Sequence, residues 1–277
     1  MISQYIKRGL RYILHGIPET IVKAEIYQTQ PCNSLKGKKI IITGGGRGLG
    51  LAMAKKFISE GANVLISGRN ASMLEVKARE IGAEWLVLDV TNASEFNSFI
   101  TDAAVRLDGC DCLVNNAGIS LHEGSILNVA EEQFDSQLST NLKGSYFLAK
   151  EFIKYQIACG RKKSSILFVS SERGSYVDDL PYGITKAAIN SLVQGLAYRY
   201  IKEGVRVNAI APGVTASDMT GFKEDGNLFC SYNLTGRIYL PSEVAEVAAF
   251  LLSDSSACLN GQILTCNEGK SINAHWK

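Results

Sequence analysis

The sequence has little net charge, few prolines, no paired-cysteine motif and no long apolar run, and each shortage removes a class of protein. With 29 Lys+Arg against 27 Asp+Glu in 277 residues, the formal net charge is +2. Near-neutrality together with 46% hydrophobic residues excludes general intrinsic disorder, which goes with few apolar residues and a strong charge imbalance. It also speaks against a dedicated nucleic-acid binder, whose basic face shows in the overall charge. Five prolines rule out a low-complexity chain. Seven cysteines (32, 110, 112, 159, 230, 258 and 266) are an odd number without any CxxC pair, so neither a disulfide framework nor a zinc site is indicated. Cys110-Asp111-Cys112 opens an apolar run and predicts buried or half-buried thiols, and a reducing cytoplasm fits best. No run reaches the roughly 18 apolar residues of a bilayer span, so no integral membrane segment is expected.

In residues 2–17, Ile2, Tyr5, Ile6, Leu10, Ile13, Leu14 and Ile17 share one side of a helical wheel, and Lys7, Arg8, Arg11 and His15 share the other. This predicts a basic amphipathic helix, not a signal peptide, which needs an unbroken apolar stretch of about 7 residues or more. Packing on its own domain or on a subunit partner is the leading reading, and peripheral contact with a membrane surface is the second.

Glycine is in mild excess, 26 in 277 or about 9%, against a background of about 7%. From Lys38 onward, short β-rich runs at 38–45, 63–69, 83–90, 111–118, 164–171, 205–213 and 262–269 alternate with helical patterns near 49–60, 71–81, 94–107, 131–159, 182–202 and 241–253. Several of the runs are apolar almost throughout, as strands buried on both faces must be. The alternation predicts a doubly wound α/β fold: a parallel, Rossmann-like sheet with helices on both faces and right-handed crossovers. No linker divides it, so a single domain over 37–277 is expected, with residues 1–36 as an N-terminal extension.

The glycines sit where chemistry needs them. After the first run comes Thr43-Gly44-Gly45-Gly46-Arg47-Gly48-Leu49-Gly50, leading into a helical pattern. Such a turn lets backbone approach a pyrophosphate, whose charge meets free N–H groups and the positive end of the helix dipole. The second run ends Ser67-Gly68-Arg69. An NAD site usually has an acid there to hold the ribose 2′-hydroxyl. Here no acid repels a 2′-phosphate, and Arg69, with Arg47 as second candidate, could bind one through a bidentate guanidinium. NADP(H) is the expected cofactor, although either arginine also reads as a solvated surface residue. At the head of a later helix, Tyr182 and Lys186 stand at i and i+4, on one face. A nearby cation favours phenolate and brings a tyrosine toward the range a general acid/base needs.

Together these motifs resemble the short-chain dehydrogenase/reductase family. TGGGRGLG at 43–50 is similar to the family's TGxxxGxG, Asn115-Asn116-Ala117-Gly118 to its NNAG, and Tyr182 with Lys186 to its YxxxK. Asn141 in NLKGSYF looks like the family's active-site asparagine, Ser170-Ser171 ends the fifth run where the catalytic serine lies, and Pro212-Gly213 follows the sixth. The resemblance covers about 37–269 in the right order. It implies hydride transfer between a nicotinamide and a carbonyl or alcohol carbon. Tyr182 would donate or remove the proton, Ser171 would hold the substrate oxygen, Lys186 would hold the nicotinamide ribose and bias Tyr182, and Asn141 would fix a water. Cofactor contacts would come from Gly44, Gly46, Arg47, Gly48, Leu49, Gly50, Arg69, Asp89, Val90, Asn115, Asn116, Ala117, Gly118, Tyr182, Lys186, Pro212, Gly213 and Ser217.

Four departures qualify this. Ser171 precedes Tyr182 by 11 residues and Ser170 by 12, where the common pattern has 13; a two-residue deletion explains this and favours Ser171. Ser217 replaces a usual threonine. Glu268-Gly269-Lys270 replaces paired glycines after the last run, and the N-terminal extension has no counterpart in the family core.

Loops at about 119–130, 172–181 and 214–240 should select the substrate. The polar Glu172–Pro181 stretch favours a hydroxylated, sugar-like ketone. Phe222, Leu228, Phe229, Tyr232 and Tyr239, with Lys223 and Arg237, keep a 3-oxoacyl-carrier-protein-type substrate open, unless these side chains simply pack the loop. The expectation is an NADP(H)-dependent reductase of a small-molecule ketone or aldehyde that binds no nucleic acid. By fold analogy with the family it forms a homodimer or homotetramer through 131–159 and 182–202. The rival is a family member that keeps the fold as a nucleotide-binding regulatory protein.

Overall fold

A computed structural model describes residues 20–24, 31–161 and 163–272. The helix predicted over residues 2–17 lies outside them. One sheet of seven parallel strands runs in the order β3-β2-β1-β4-β5-β6-β7. In chain order the elements are β1 (Lys39–Thr43), α1 (Gly48–Ser59), β2 (Asn63–Gly68), α2 (Ala71–Ile81), β3 (Glu84–Val87), α3 (Phe96–Arg106), β4 (Cys112–Asn115), α4 (Glu131–Gln137), α5 (Ser145–Ala158), β5 (Ser164–Val169), α6 (Pro181–Tyr200), β6 (Val205–Pro212), α7 (Pro241–Leu252) and β7 (Ile263–Cys266).

The apolar strands explain the two layers. Side chains alternate across a strand, so Ile41 joins one core with Leu65, Leu113, Phe168 and Val207, under Phe99 of α3, Phe152 of α5 and Val193 of α6. Its neighbours Ile40 and Ile42 join the other with Val64, Ile66, Val114 and Ile210, under Met53 and Phe57 of α1, Leu74 of α2 and Leu251 of α7. Burial on both faces is what a parallel sheet requires. Cys110 and Cys112 are buried here, and burial pushes both thiols up to about 12. Among the described residues no helix is long and apolar enough to cross a membrane.

The long helical pattern at 131–159 is interrupted. Leu138–Gly144 is a π-helical stretch between α4 and α5. Where it joins α5, Gly144 lies against the Val90 carbonyl oxygen so closely that any Cβ would collide with it. The wider turn carries Asn141, and π-bulges of this kind are frequent at functional sites.

Residues 214–240 fold over the carboxyl edge of the sheet as a lid with a small core of its own, built from Ala216, Leu228, Cys230, Ile238 and Leu240. Residues from the N-terminal extension bond to it. Leu228 N–H donates to the Val22 carbonyl (3.0 Å), and the Asn227 amide accepts from Val22 N–H (3.0 Å) and donates to the Thr20 carbonyl (3.0 Å). The extension therefore contributes a short extended strap to the lid.

Candidate active site

Strand order reverses between β1 and β4, and crevices at such switch points receive ligands in doubly wound sheets. On the β1 side, the turn 44–47 enters α1 without a side-chain cap and without an acid in the first turn, so the helix presents unsatisfied N–H groups to the crevice. Gly44 adopts φ +65°, and a Cβ at Gly50 would strike the Gly44 carbonyl oxygen and the Asn116 amide. The cradle has the bare backbone and the free donors that a pyrophosphate needs.

Thr43 ties the two strands together at this point. Its hydroxyl accepts from the N–H groups of Asn116 (3.0 Å) and Ala117 (3.1 Å), and Asn116 Nδ2 donates to the Thr43 (2.8 Å) and Gly44 (3.1 Å) carbonyls. Asn115 is buried, with Nδ2 donating to the Ser145 carbonyl (3.4 Å). Leu49 packs on the core under α1, α2 and α7, and Gly46 sits against Met73.

Across the crevice, Asn141 is clamped on the loop after β4: Oδ1 accepts from Ile119 N–H (2.8 Å), while Nδ2 donates to the Ile119 carbonyl (2.9 Å) and to Thr185 Oγ1 (3.3 Å). A Cβ on Gly118 would lie 3.2 Å from Asn141 Oδ1 and 3.7 Å from Lys186 Nζ, so Gly118 is the floor between them. Lys186 is buried and donates to the Val169 carbonyl at the end of β5 (2.8 Å). Burial pulls its ammonium down to about 8. Its Nζ lies 5.5 Å from the centroid of the Tyr182 ring.

The two serines part company at the end of β5. Ser170 Oγ turns toward α6, bonding Asn190 Oδ1 (2.6 Å) and the Lys186 carbonyl (3.3 Å). Ser171 stands by the Tyr182 side chain, close enough to lower its pKa, and its Oγ accepts from Arg173 N–H (3.2 Å). Burial raises the Tyr182 phenol above its ordinary value, and Ser171 and Arg173 oppose that rise. Tyr182, Ser171, Lys186, Asn141 and Gly118 thus converge at the carboxyl ends of β4 and β5.

At the rim, Arg69 is exposed at the end of β2 and close enough to Asp89 to help depress its carboxyl, after the Thr91 N–H and hydroxyl. Val90 is half-buried and meets Gly144. Arg47 pairs with Asp218 of the lid (3.2 Å), both largely exposed, an arrangement worth little on its own. Ser217 faces Gly48 across the same gap, with its hydroxyl bonded to Thr220 Oγ1 (3.2 Å). Pro212 ends β6, and Gly213 packs against Tyr239 and Asn267. Of the lid's apolar side chains, Leu228 is buried in the lid core, Phe222 packs on that core, Tyr239 is buried against Gly213, and Met219, Phe229, Tyr232 and Leu234 are exposed.

The comparisons with known proteins bear on the family and the fold. A family model described as enoyl-(acyl carrier protein) reductase matches residues 44–271. An uncharacterised oxidoreductase of Mycobacterium tuberculosis is 36% identical over 248 residues, covering 86% of this chain and 98% of the relative. The chain is a short-chain dehydrogenase/reductase. Within that family it is also similar to gluconate 5-dehydrogenase of Gluconobacter oxydans, 30% identical over 249 residues and covering 86% of this chain and 96% of that one. The crystal structure of 3-ketoacyl-(acyl-carrier-protein) reductase from Brucella melitensis, complexed with NADH, superposes with a TM-score of 0.79 at 30% identity, covering 86% of this chain and all of that one.

This short-chain dehydrogenase/reductase has a polar cluster that sequence reading passed over. Glu172, next to Ser171 and buried, accepts from Lys270 Nζ (2.9 Å), Asn267 Nδ2 (2.9 Å) and the Tyr176 hydroxyl (3.1 Å). Lys270 lies 98 residues away, in the segment that replaces the family's paired glycines, and is the cation that lets a carboxylate stand beneath the serine turn. Lys270→Met should destabilise the protein by about 2 kcal/mol in urea unfolding. That is below the ~3–5 kcal/mol of a fully buried pair, because Lys270 is partly exposed and two donors remain. Adding Glu172→Gln should recover part of the loss; a double variant no better than the single would contradict the pairing.

Proposed function

We propose that the protein is a cytoplasmic NADP(H)-dependent oxidoreductase that reduces a ketone or aldehyde to an alcohol. The observation that carries this reading is the convergence of Tyr182, Ser171 and Lys186 beside Gly118. The uncapped glycine turn offers its N–H groups to the pyrophosphate, Lys186 and Asn141 flank the floor at Gly118 for the nicotinamide riboside, and Arg69 waits at the end of β2 for the 2′-phosphate. Asp89 and Val90 would border the adenine, with Ser217 and Gly213 on the lid side. Bound there, the nicotinamide supplies or accepts the hydride.

The protein's own groups handle the oxygen and its proton. A phenol held above its ordinary pKa keeps its proton at neutral pH, which suits donation to a carbonyl oxygen in the reducing direction. Ser171 Oγ hydrogen-bonds the same oxygen as negative charge gathers on it. Asn141, braced by Ile119 and Thr185, would hold a water for resupply of the proton. The domain reading is one catalytic unit over 37–277 with residues 1–36 appended. The outward faces of α5 and α6 expose Tyr146, Ile157 and Tyr198, where a second copy would pack. The seven free thiols fit a reducing compartment.

The relatives put two substrate classes forward, sugar-acid ketones and 3-ketoacyl thioesters, and the polar stretch Glu172–Pro181 leading into Tyr182 supports the first. The test is a panel of both classes, with matching alcohols, followed at the nicotinamide absorbance with either cofactor. Turnover of a member with NADPH supports the proposal; tight cofactor binding without turnover of any would support the regulatory reading instead.

Lys186 gives the site a signature in pH. Its pKa falls from 10.5 in the unfolded chain to about 8 in the fold, so between those values the unfolded state binds more protons and stability rises with pH. Below pH 8 the burial penalty acts in full. In the cofactor-free protein, Lys186→Met should therefore gain most in Tm over wild type below about pH 8, and this advantage should shrink toward pH 10.5. A difference in Tm that is flat with pH would contradict the buried ammonium.

A further inference from the structure

We infer that Arg173, clamped by Asp178, is a second positioning cation for Tyr182, supplied by the shortened serine turn of this chain in addition to Lys186. The inference rests on Tyr182 being the acid/base group. The guanidinium carbon of Arg173 lies 5.8 Å from the centroid of the Tyr182 ring. Its Nε and one terminal nitrogen each donate to Asp178, both at 2.6 Å, in the bidentate fork that fixes a guanidinium most firmly. Asp178 is itself held, accepting from Leu180 N–H (3.0 Å) and lying against Gly183, where any Cβ would collide with its carboxylate. Arg173, Asp178 and Gly183 thus form one device that folds the short connection between Ser171 and α6 back over the tyrosine.

The charges that face Tyr182 give the device a purpose. From the serine turn come Arg173 and Glu172, the latter paired with Lys270 and still raising the phenol; from the connection comes Asp178, paired with Arg173; from α6 comes Lys186. His122, on the loop after β4, is engaged with the Met219 carbonyl of the lid (2.8 Å). Lys186 is compromised as a permanent cation, because burial brings its pKa to about 8. A guanidinium does not lose its proton in this range. Arg173 accordingly keeps its charge above about pH 8, where Lys186 loses it, and it acts against the burial that pushes the phenol up.

The test is an NMR titration of protein carrying tyrosine isotopically labelled at Cζ, with the Tyr182 signal assigned by its disappearance in Tyr182→Phe. Arg173→Gln should move the Tyr182 midpoint up by about one pH unit, a tenfold loss of acidity, and Arg173→Lys should hold it near wild type. NADPH binding and Tm, measured alongside, report whether each variant is folded. A merely structural arginine would alter Tm and leave the midpoint in place. Coincident midpoints for wild type and Arg173→Gln, or an equal rise in Arg173→Lys, overturn the inference. The titration reads the proton directly, so it stands apart from turnover: a fully active Tyr182→Phe would sink the acid/base assignment, whatever the Arg173 variants show.

Discussion

Tyr182→Phe is expected to lower kcat on any carbonyl substrate by on the order of 10³-fold, within the range that a positioned general acid contributes. The substitution removes one oxygen and leaves the ring, so the contacts of the ring with Lys186 and Arg173 and the fold of α6 should survive. NADPH affinity should stay within about twofold, because the cradle at Gly44–Gly50 and Lys186 itself are untouched. Ser171→Ala should fall less far, since it removes one hydrogen bond to the developing oxyanion and leaves the proton donor in place. If Tyr182→Phe turns over at the wild-type rate, the convergence beside Gly118 has been misread.

The second large effect concerns cofactor choice. Arg69→Ala should weaken NADPH binding by about 10- to 100-fold, the equivalent of the ~1.5–3 kcal/mol of a hydrogen bond to a charged group, while NADH binding changes little. Arg69 is the better candidate because it is exposed at the end of β2 with no hydrogen bond among the described residues, whereas Arg47 is already paired with Asp218. Removing Arg47 should loosen the approach of the lid to the glycine turn more than it alters the NADPH/NADH ratio. An unchanged ratio in both variants would contradict the 2′-phosphate assignment.

The fold was legible in the sequence because its strands are buried on both faces. Ile40, Ile41 and Ile42 cannot all point to one core, so a continuous apolar run announces a covered parallel sheet, and the helical patterns between the runs supply the cover. The glycine turn and the Tyr182–Lys186 pair were legible because backbone approach to a phosphate and i, i+4 spacing are local properties. The π-helical stretch at Leu138–Gly144 was not, since it departs from the 3.6-residue period by less than composition can reveal. Nor were the long-range partners. Glu172 finds Lys270 across 98 residues, and Asn227 finds Thr20 across 207, pairings that no local pattern encodes. Arg173 lay in plain view, but only the folded turn shows that Asp178 aims it at Tyr182.

The most direct test of the central claim follows the hydride itself. NADPH carrying deuterium on the transferring face of its nicotinamide ring is mixed with enzyme and a carbonyl compound from the active class, and the alcohol is examined by mass spectrometry and NMR. The account predicts one deuterium on the carbinol carbon in the wild-type product, with the hydroxyl proton drawn from solvent through Tyr182. An alcohol formed without deuterium on that carbon would contradict it.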